Sequence, residues 1–197
     1  MIDFRKKPSN EFTYQHVNLT GKILIASPLM DDEYFKGSVI YICSHDEENA
    51  IGVMVNRVFG EIDLKAGNEG EEAHSEHRFP LNNGGPVSPD KLVILSVKKN
   101  YYRRFNTNPV VTIYTELNDF YPLYASGKLS KKFMIAQGIT AWESPQLAEE
   151  VGQNFWLVAD TTRETLFTSS DKKWEKELKK MGLTPEWKNI VSYTGQA

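Results

Sequence analysis

Residues 27–57 read SPLMDDEYFKGSVIYICSHDEENAIGVMVNR, and this stretch decides the fold class. From Val39 to Cys43 every position is apolar, the pattern of a strand covered on both faces rather than one with a wet side. The polar connection His45 to Asn49 separates it from a second apolar run, Ile51 to Val55, which closes at Asn56-Arg57. Two such runs so close together predict a hairpin of interior strands. Upstream, Gly21 to Ala26 is apolar and halts at Ser27-Pro28, where proline removes the next ladder donor, so a first strand is predicted there.

Further strands are predicted at Leu92 to Val97, Val110 to Thr115, Phe133 to Trp142 and Phe155 to Ala159, with a turn at Asn82 to Val87. Helices are predicted at Leu117 to Ser126, after Ser144-Pro145, at Thr162 to Phe167 and at Asp171 to Met181. Ser144 is an expected N-cap with proline at the first helical position. In the last helix Trp174, Leu178 and Met181 fall at i, i+4 and i+7, with Lys and Glu assigned to the outer face. Residues 1–20 read as an N-terminal arm anchored by Phe12, Tyr14 and Val17, and residues 60–78 as a flexible acidic loop. Strands and helices together define a single α/β (α+β) domain spanning residues 1–197.

With 40% apolar and 25% charged residues, the chain has the composition of an ordinary globular protein. The net charge of −3 creates no overall field for a polyanion, so contact with nucleic acid needs a local patch. Cys43 is the single cysteine, which excludes an intramolecular disulfide and a multi-thiolate metal site and fits a reducing, cytoplasmic setting. No apolar segment follows Arg5, Lys6 and Lys7, and no apolar run is long enough for a membrane span.

Ser27 to Asp32, Ser38 to Cys43, His45-Asp46 and Gly52 to Arg57 resemble the opening block of the bacterial YqgE/AlgH family. Gly84-Gly85-Pro86-Val87 is similar to that family's second motif. Gly138 to Trp142, Gln146-Leu147, Glu149-Glu150 and Asn154 to Leu157 are similar to its third. Departures are Thr140, Glu143-Ser144 and an acidic insertion near 67–78. The resemblance implies an α/β fold with a mixed, partly closed, barrel-like sheet flanked by several helices, and a transcriptional regulator linked to alginate control. It brings no catalytic residue and no cofactor.

The chemistry must therefore come from individual residues. Glycines permit close backbone approach, so Gly84, Gly85 and Pro86 with Asn56 and Arg57 are a candidate cradle for an anion or a peptide carboxylate; Ser27 and His45 complete this tentative ligand site at neighbouring strand ends. The alternative is that the glycines only satisfy a tight turn. Cys43 and His45, two apart on a strand, would share a face as a nucleophile pair or a partial metal site, although a cysteine ending an apolar strand is more simply structural. His74 and His77 among Glu71, Glu72 and Glu76 have ligand spacing only if that loop is helical. Lys98, Lys99, Arg103 and Arg104 interleave with Tyr101, Tyr102 and Phe105, a mixture suited to phosphate contact and base stacking but without a helix-turn-helix around it. No phosphate-loop, nucleophile-elbow, dinucleotide or HExxH pattern occurs. The leading expectation is a regulatory or binding protein with no cofactor or metal, taking an unknown small molecule or a protein partner's tail in a crevice. The alternatives are a small hydrolytic or redox enzyme using Ser27, Cys43 or His45, and a direct reader of DNA whose affinity falls with salt.

Overall fold

The computed structural model describes residues 17–64, 78–98, 111–168 and 172–185. In chain order these form β1 (Lys22–Ala26), β2 (Val39–His45), β3 (Asn49–Met54), β4 (Val58–Asp63), β5 (Arg78–Asn83), β6 (Val87–Lys98), β7 (Val111–Tyr114), α1 (Leu117–Ala125), β8 (Leu129–Glu143), α2 (Gln146–Gly152), β9 (Trp156–Asp160), α3 (Arg163–Phe167) and α4 (Lys173–Lys180). β1, β2 and β3 form an antiparallel meander in which Leu24 faces Ile40 and Tyr41 faces Val53.

Alternation along these strands sorts their apolar residues onto two covered faces. On one face Ile23, Ile25, Val39, Tyr41 and Val53 pack with Leu95 and Met134 beneath Leu166 of α3 and Leu178 of α4. On the other, Leu24, Ala26, Ile40, Ile42 and Met54 pack with Trp142, Trp156 and Leu147 of α2. A third cluster gathers Leu64, Leu81, Ile94 and Ile135 around Phe120 of α1.

The sheet turns on β8, 15 residues long. Its first part pairs with β5 and β6, and its last part with β3. The β5–β8 pairing is parallel and the other pairings are antiparallel, so the sheet is mixed. It does not close: the path β4-β5-β8-β3-β2-β1-β9 has two ends, and β6 and β7 branch from β8. The barrel-like expectation resolves into an open sheet flanked by helices.

Three local expectations are corrected. Residues 58–63 and 78–83 pair as the β4–β5 hairpin, where a loop from 60 and a turn from Asn82 were predicted; β4 is mostly exposed, so it lacks the apolar run that announces a strand. Residues 65–77 lie outside the described residues. Ser144 does not cap α2: its N–H donates to the Glu48 carbonyl at 2.8 Å, and Pro145 occupies the N-cap position. In α4 the inward face carries Lys173 and Glu177 beside Leu178, whereas Met181 is 40% exposed.

Candidate functional site

Asn56, Arg57, Gly84 and Gly85 meet at one corner of the sheet, under the loop that links β1 to β2. The Asn56 side chain clamps that loop: its Oδ1 accepts the Val39 N–H at 2.8 Å and its Nδ2 donates to the Gly37 carbonyl at 2.9 Å. Arg57 Nη2 donates to the Lys36 carbonyl at 2.7 Å, and the guanidinium lies 5.8 Å from the centre of the Tyr34 ring. Tyr34 donates its hydroxyl to Asn83 Oδ1 at 3.0 Å, and the same oxygen accepts the Gly85 N–H at 3.1 Å.

The glycines serve a strand crossing. Gly84 donates to the Gln137 carbonyl at 2.7 Å and accepts the Met54 N–H at 2.9 Å, tying β3 to β8. A Cβ on Gly84 would lie 2.1 Å from the Gly138 oxygen, and one on Gly85, at φ +150°, 2.2 Å from the Ile139 backbone. Gly138, at φ +79°, meets Gly85 from the other side. The N–H groups that an anion cradle would offer thus already donate within the protein. Pro86 stands exposed beyond the crossing.

Ser27 opens the same loop, buried, with its Oγ accepting the Leu29 N–H at 3.1 Å. His45 lies apart, at the hairpin end of β2, where its Nδ1 accepts the Leu19 N–H at 3.0 Å. It lines an apolar groove of about 490 Å³ with Leu19, Leu147, Val151 and Val158. A β-bulge between Ile42 and Ser44 breaks the alternation that would have put Cys43 and His45 on one face. Cys43 instead lines a different cavity, of about 590 Å³, with Val53, Leu92 and Ile139. Burial pushes its thiol up to about 12, so at neutral pH the nucleophilic thiolate is scarce. Iodoacetamide at pH 8 should modify native Cys43 about a thousandfold more slowly than the urea-unfolded chain; equal rates, read by intact mass, would show an accessible thiol.

His74 and His77 with their glutamates lie outside the described residues, as do Lys99, Arg103, Arg104 and the aromatics between them; Lys98 ends β6. Among the described residues no group of His, Cys, Asp and Glu could hold a metal ion, and no helix is long and apolar enough to cross a membrane.

Sequence reasoning missed Lys173. The carbonyls of Val55, just past β3, and of Leu166, in the last turn of α3, lie where ladder and helix bonding end. Lys173, 2% exposed, answers both: its Nζ donates to Val55 O at 2.6 Å and to Leu166 O at 3.0 Å. Glu177, one turn on, accepts from the Thr165 hydroxyl at 2.9 Å and from Lys180 Nζ at 2.7 Å. Burial pulls the Lys173 ammonium down to about 8, with the Glu177 carboxylate opposing the shift. Lys173 lines a cavity of about 460 Å³ directly behind the Asn56–Arg57 turn, walled by Val55, Val58, Phe79, Asn82, Phe133, Met134 and Phe167. The available signal was Lys173 and Glu177 at i and i+4, each one position before a residue of the apolar Trp174–Leu178 stripe.

The depressed lysine makes a pH prediction. The unfolded chain holds this proton up to its ordinary value near 10.5 and the native protein only up to about 8, so between those values the unfolded state binds more protons and stability rises with pH. Urea unfolding of wild type and Lys173→Met should therefore diverge in favour of wild type by about 3 kcal/mol across that window, at ~1.4 kcal/mol per unit. A difference independent of pH would contradict the burial of a charged amine.

An open mixed sheet with helices on both faces, a glycine crossing between β3 and β8 and cavities against its sides defines a single-domain α/β protein. The chain belongs to the AlgH-like family: the family model DUF179, AlgH-like, matches residues 23–186. It is 32% identical over 181 residues to a UPF0301 protein of Photobacterium profundum, covering 86% of this chain and 95% of the relative. It is 35% identical over 173 residues to a UPF0301 protein of Rickettsia canadensis, covering 84% and 90%. The solution structure of the AlgH protein from Pseudomonas aeruginosa superposes with a TM-score of 0.66 at 25% identity, over 100% of this chain and 98% of that one. A Corynebacterium diphtheriae protein shares the fold with a TM-score of 0.62 at 22% identity, over 82% and 86%.

Proposed function

We propose that the protein works by binding: a small molecule occupies the cavity behind the Asn56–Arg57 turn, and a partner reads the occupied form, the behaviour of a regulator. The observation that carries this reading is the buried Lys173 lining a cavity of about 460 Å³, within the ~300–1,000 Å³ range of small-molecule sites. A perturbed titratable group in a concave apolar site is a recognised mark of function. The route outward is short. Val55 and Val58 form cavity wall, while Asn56 and Arg57 between them hold the backbone of residues 36–39. A ligand pressing on the wall thereby biases the exposed loop next to Ser27 and the Gly84–Pro86 crossing.

The test is a thermal-shift screen of small metabolites on wild type and on Val58→Trp. Val58 is 49% exposed, so tryptophan there obstructs the cavity mouth at little cost to the core. A true ligand at a hundredfold its Kd should raise the wild-type Tm by about 5–10 °C and leave Val58→Trp unmoved. Shifts of equal size in both proteins would remove this cavity as the site.

A further inference from the structure

We propose that the ligand of this cavity is a small hydrophobic monocarboxylate, its carboxylate oxygen accepting from Lys173 Nζ and its hydrocarbon body lying against Phe79, Phe133, Met134 and Phe167. This rests on the binding reading above and adds the ligand's chemical class. An ammonium carries three donors. Two are committed, to the carbonyls of Val55 and Leu166, and the third has no acceptor among the described residues. Lys173 is also the one charged side chain among the described residues that line the cavity. Glu177, the nearby carboxylate, acts on Lys173 through space but takes its hydrogen bonds from Thr165 and Lys180.

Burial outweighs the attraction of Glu177, so a buried cation with an unfilled donor gains from an anionic acceptor placed directly against it. The remaining walls decide what that counter-charge is attached to. They are aliphatic and aromatic, with Asn82 and Thr168 as the polar contributors; Thr168 already donates its hydroxyl to the Glu164 carbonyl at 2.7 Å and Asn82 Nδ2 to the Ile135 carbonyl at 3.1 Å. A phosphate would bring up to two charges and several oxygens to a site with one cation and little else to satisfy them. A carboxylate on an apolar body matches one charge with one charge and buries the rest against hydrocarbon.

Calorimetric titration of the full chain with phenylacetate and hexanoate, each against its neutral amide and against inorganic phosphate, tests the assignment. Both acids should bind, the amides about 10–100-fold more weakly, in line with loss of a charge-assisted hydrogen bond, and phosphate more weakly than either acid. Lys173→Met should abolish the preference for acid over amide, and Lys173→Arg should retain it. Because the acid–amide comparison uses wild-type protein, the test stands even where a variant does not fold. A short peptide ending in phenylalanine shares the chemistry; tighter binding of it than of phenylacetate supports the carboxylate site and assigns its source to a partner's C terminus. Acid and amide binding equally would overturn the monocarboxylate while leaving the cavity a binding site. Phosphate binding more tightly than the acids would overturn it in favour of a polyanion. No binding of either acid overturns it outright, while the binding reading itself stands or falls on the thermal-shift comparison of wild type with Val58→Trp.

Discussion

An alanine at Gly84 should prevent the chain from folding. The added carbon would lie 2.1 Å from the Gly138 oxygen and 3.2 Å from Ala136 Cβ. The nearer obstacle is backbone of β8, the strand on which the sheet turns, so no side chain can swing aside. Retreat of residue 84 would stretch both of its cross-strand hydrogen bonds, to Gln137 and from Met54. The cost should exceed about 4 kcal/mol, a large part of the ~5–15 kcal/mol that holds a domain of this kind together. Gly60 is the control: it lies in β4 with nothing within 4 Å of an added Cβ, and Gly60→Ala should be neutral. Soluble expression and thermal unfolding by circular dichroism decide the matter. A Gly84→Ala protein melting within a few degrees of wild type would show that the crossing is looser than described.

Glu150→Ala should be nearly as damaging, for an electrostatic rather than a steric reason. Glu150 Oε2 accepts the indole N–H of Trp156 at 2.7 Å and that of Trp142 at 3.0 Å, and Oε1 accepts from Gln146 at 2.8 Å. Both tryptophans are buried, at 2% and 4% exposure, so removing the carboxylate strands two donors away from water. At about 1–3 kcal/mol for each of the two orphaned buried groups, the loss should be about 2–6 kcal/mol. Glu150→Gln keeps a carbonyl oxygen able to accept both and should lose only the charge-assisted part, about 1–2 kcal/mol. Urea denaturation ranks the two; alanine and glutamine variants of equal stability would show that the indole bonds do not hold α2 to the sheet.

Particular residues show why some of this was legible in the sequence. Val39–Ile42 and Ile51–Val55 are continuous apolar runs joined by a short polar turn, and local pattern sufficed for β2 and β3. Val58–Asp63 is a half-wet strand at the end of the sheet whose partner lies beyond residues 65–77, so its pairing is a tertiary fact. The need for close approach at Gly84-Gly85 was visible, but its cause, Gly138 on another strand, exists only in space. A single bulge beside Cys43 was enough to send Cys43 and His45 to different cavities. Lys173 was hidden because lysine in an amphipathic helix normally faces solvent; its burial follows from two carbonyls left open by β3 and α3, which no helical period reveals. The nominated turn at Asn56-Arg57 adjoins the cavity without lining it, because the side chains of its neighbours Val55 and Val58 form the wall.

The most direct test of ligand binding in this cavity is a two-dimensional amide NMR titration of the full chain with phenylacetate. The expected result is saturable shifts concentrated at Val55, Val58, Asn82, Ile135, Leu166 and Lys173, spreading through Asn56 and Arg57 to Lys36 and Gly37. Shifts confined to the Leu147–Val151 groove or to the surroundings of Cys43, or a spectrum that does not change, would contradict it.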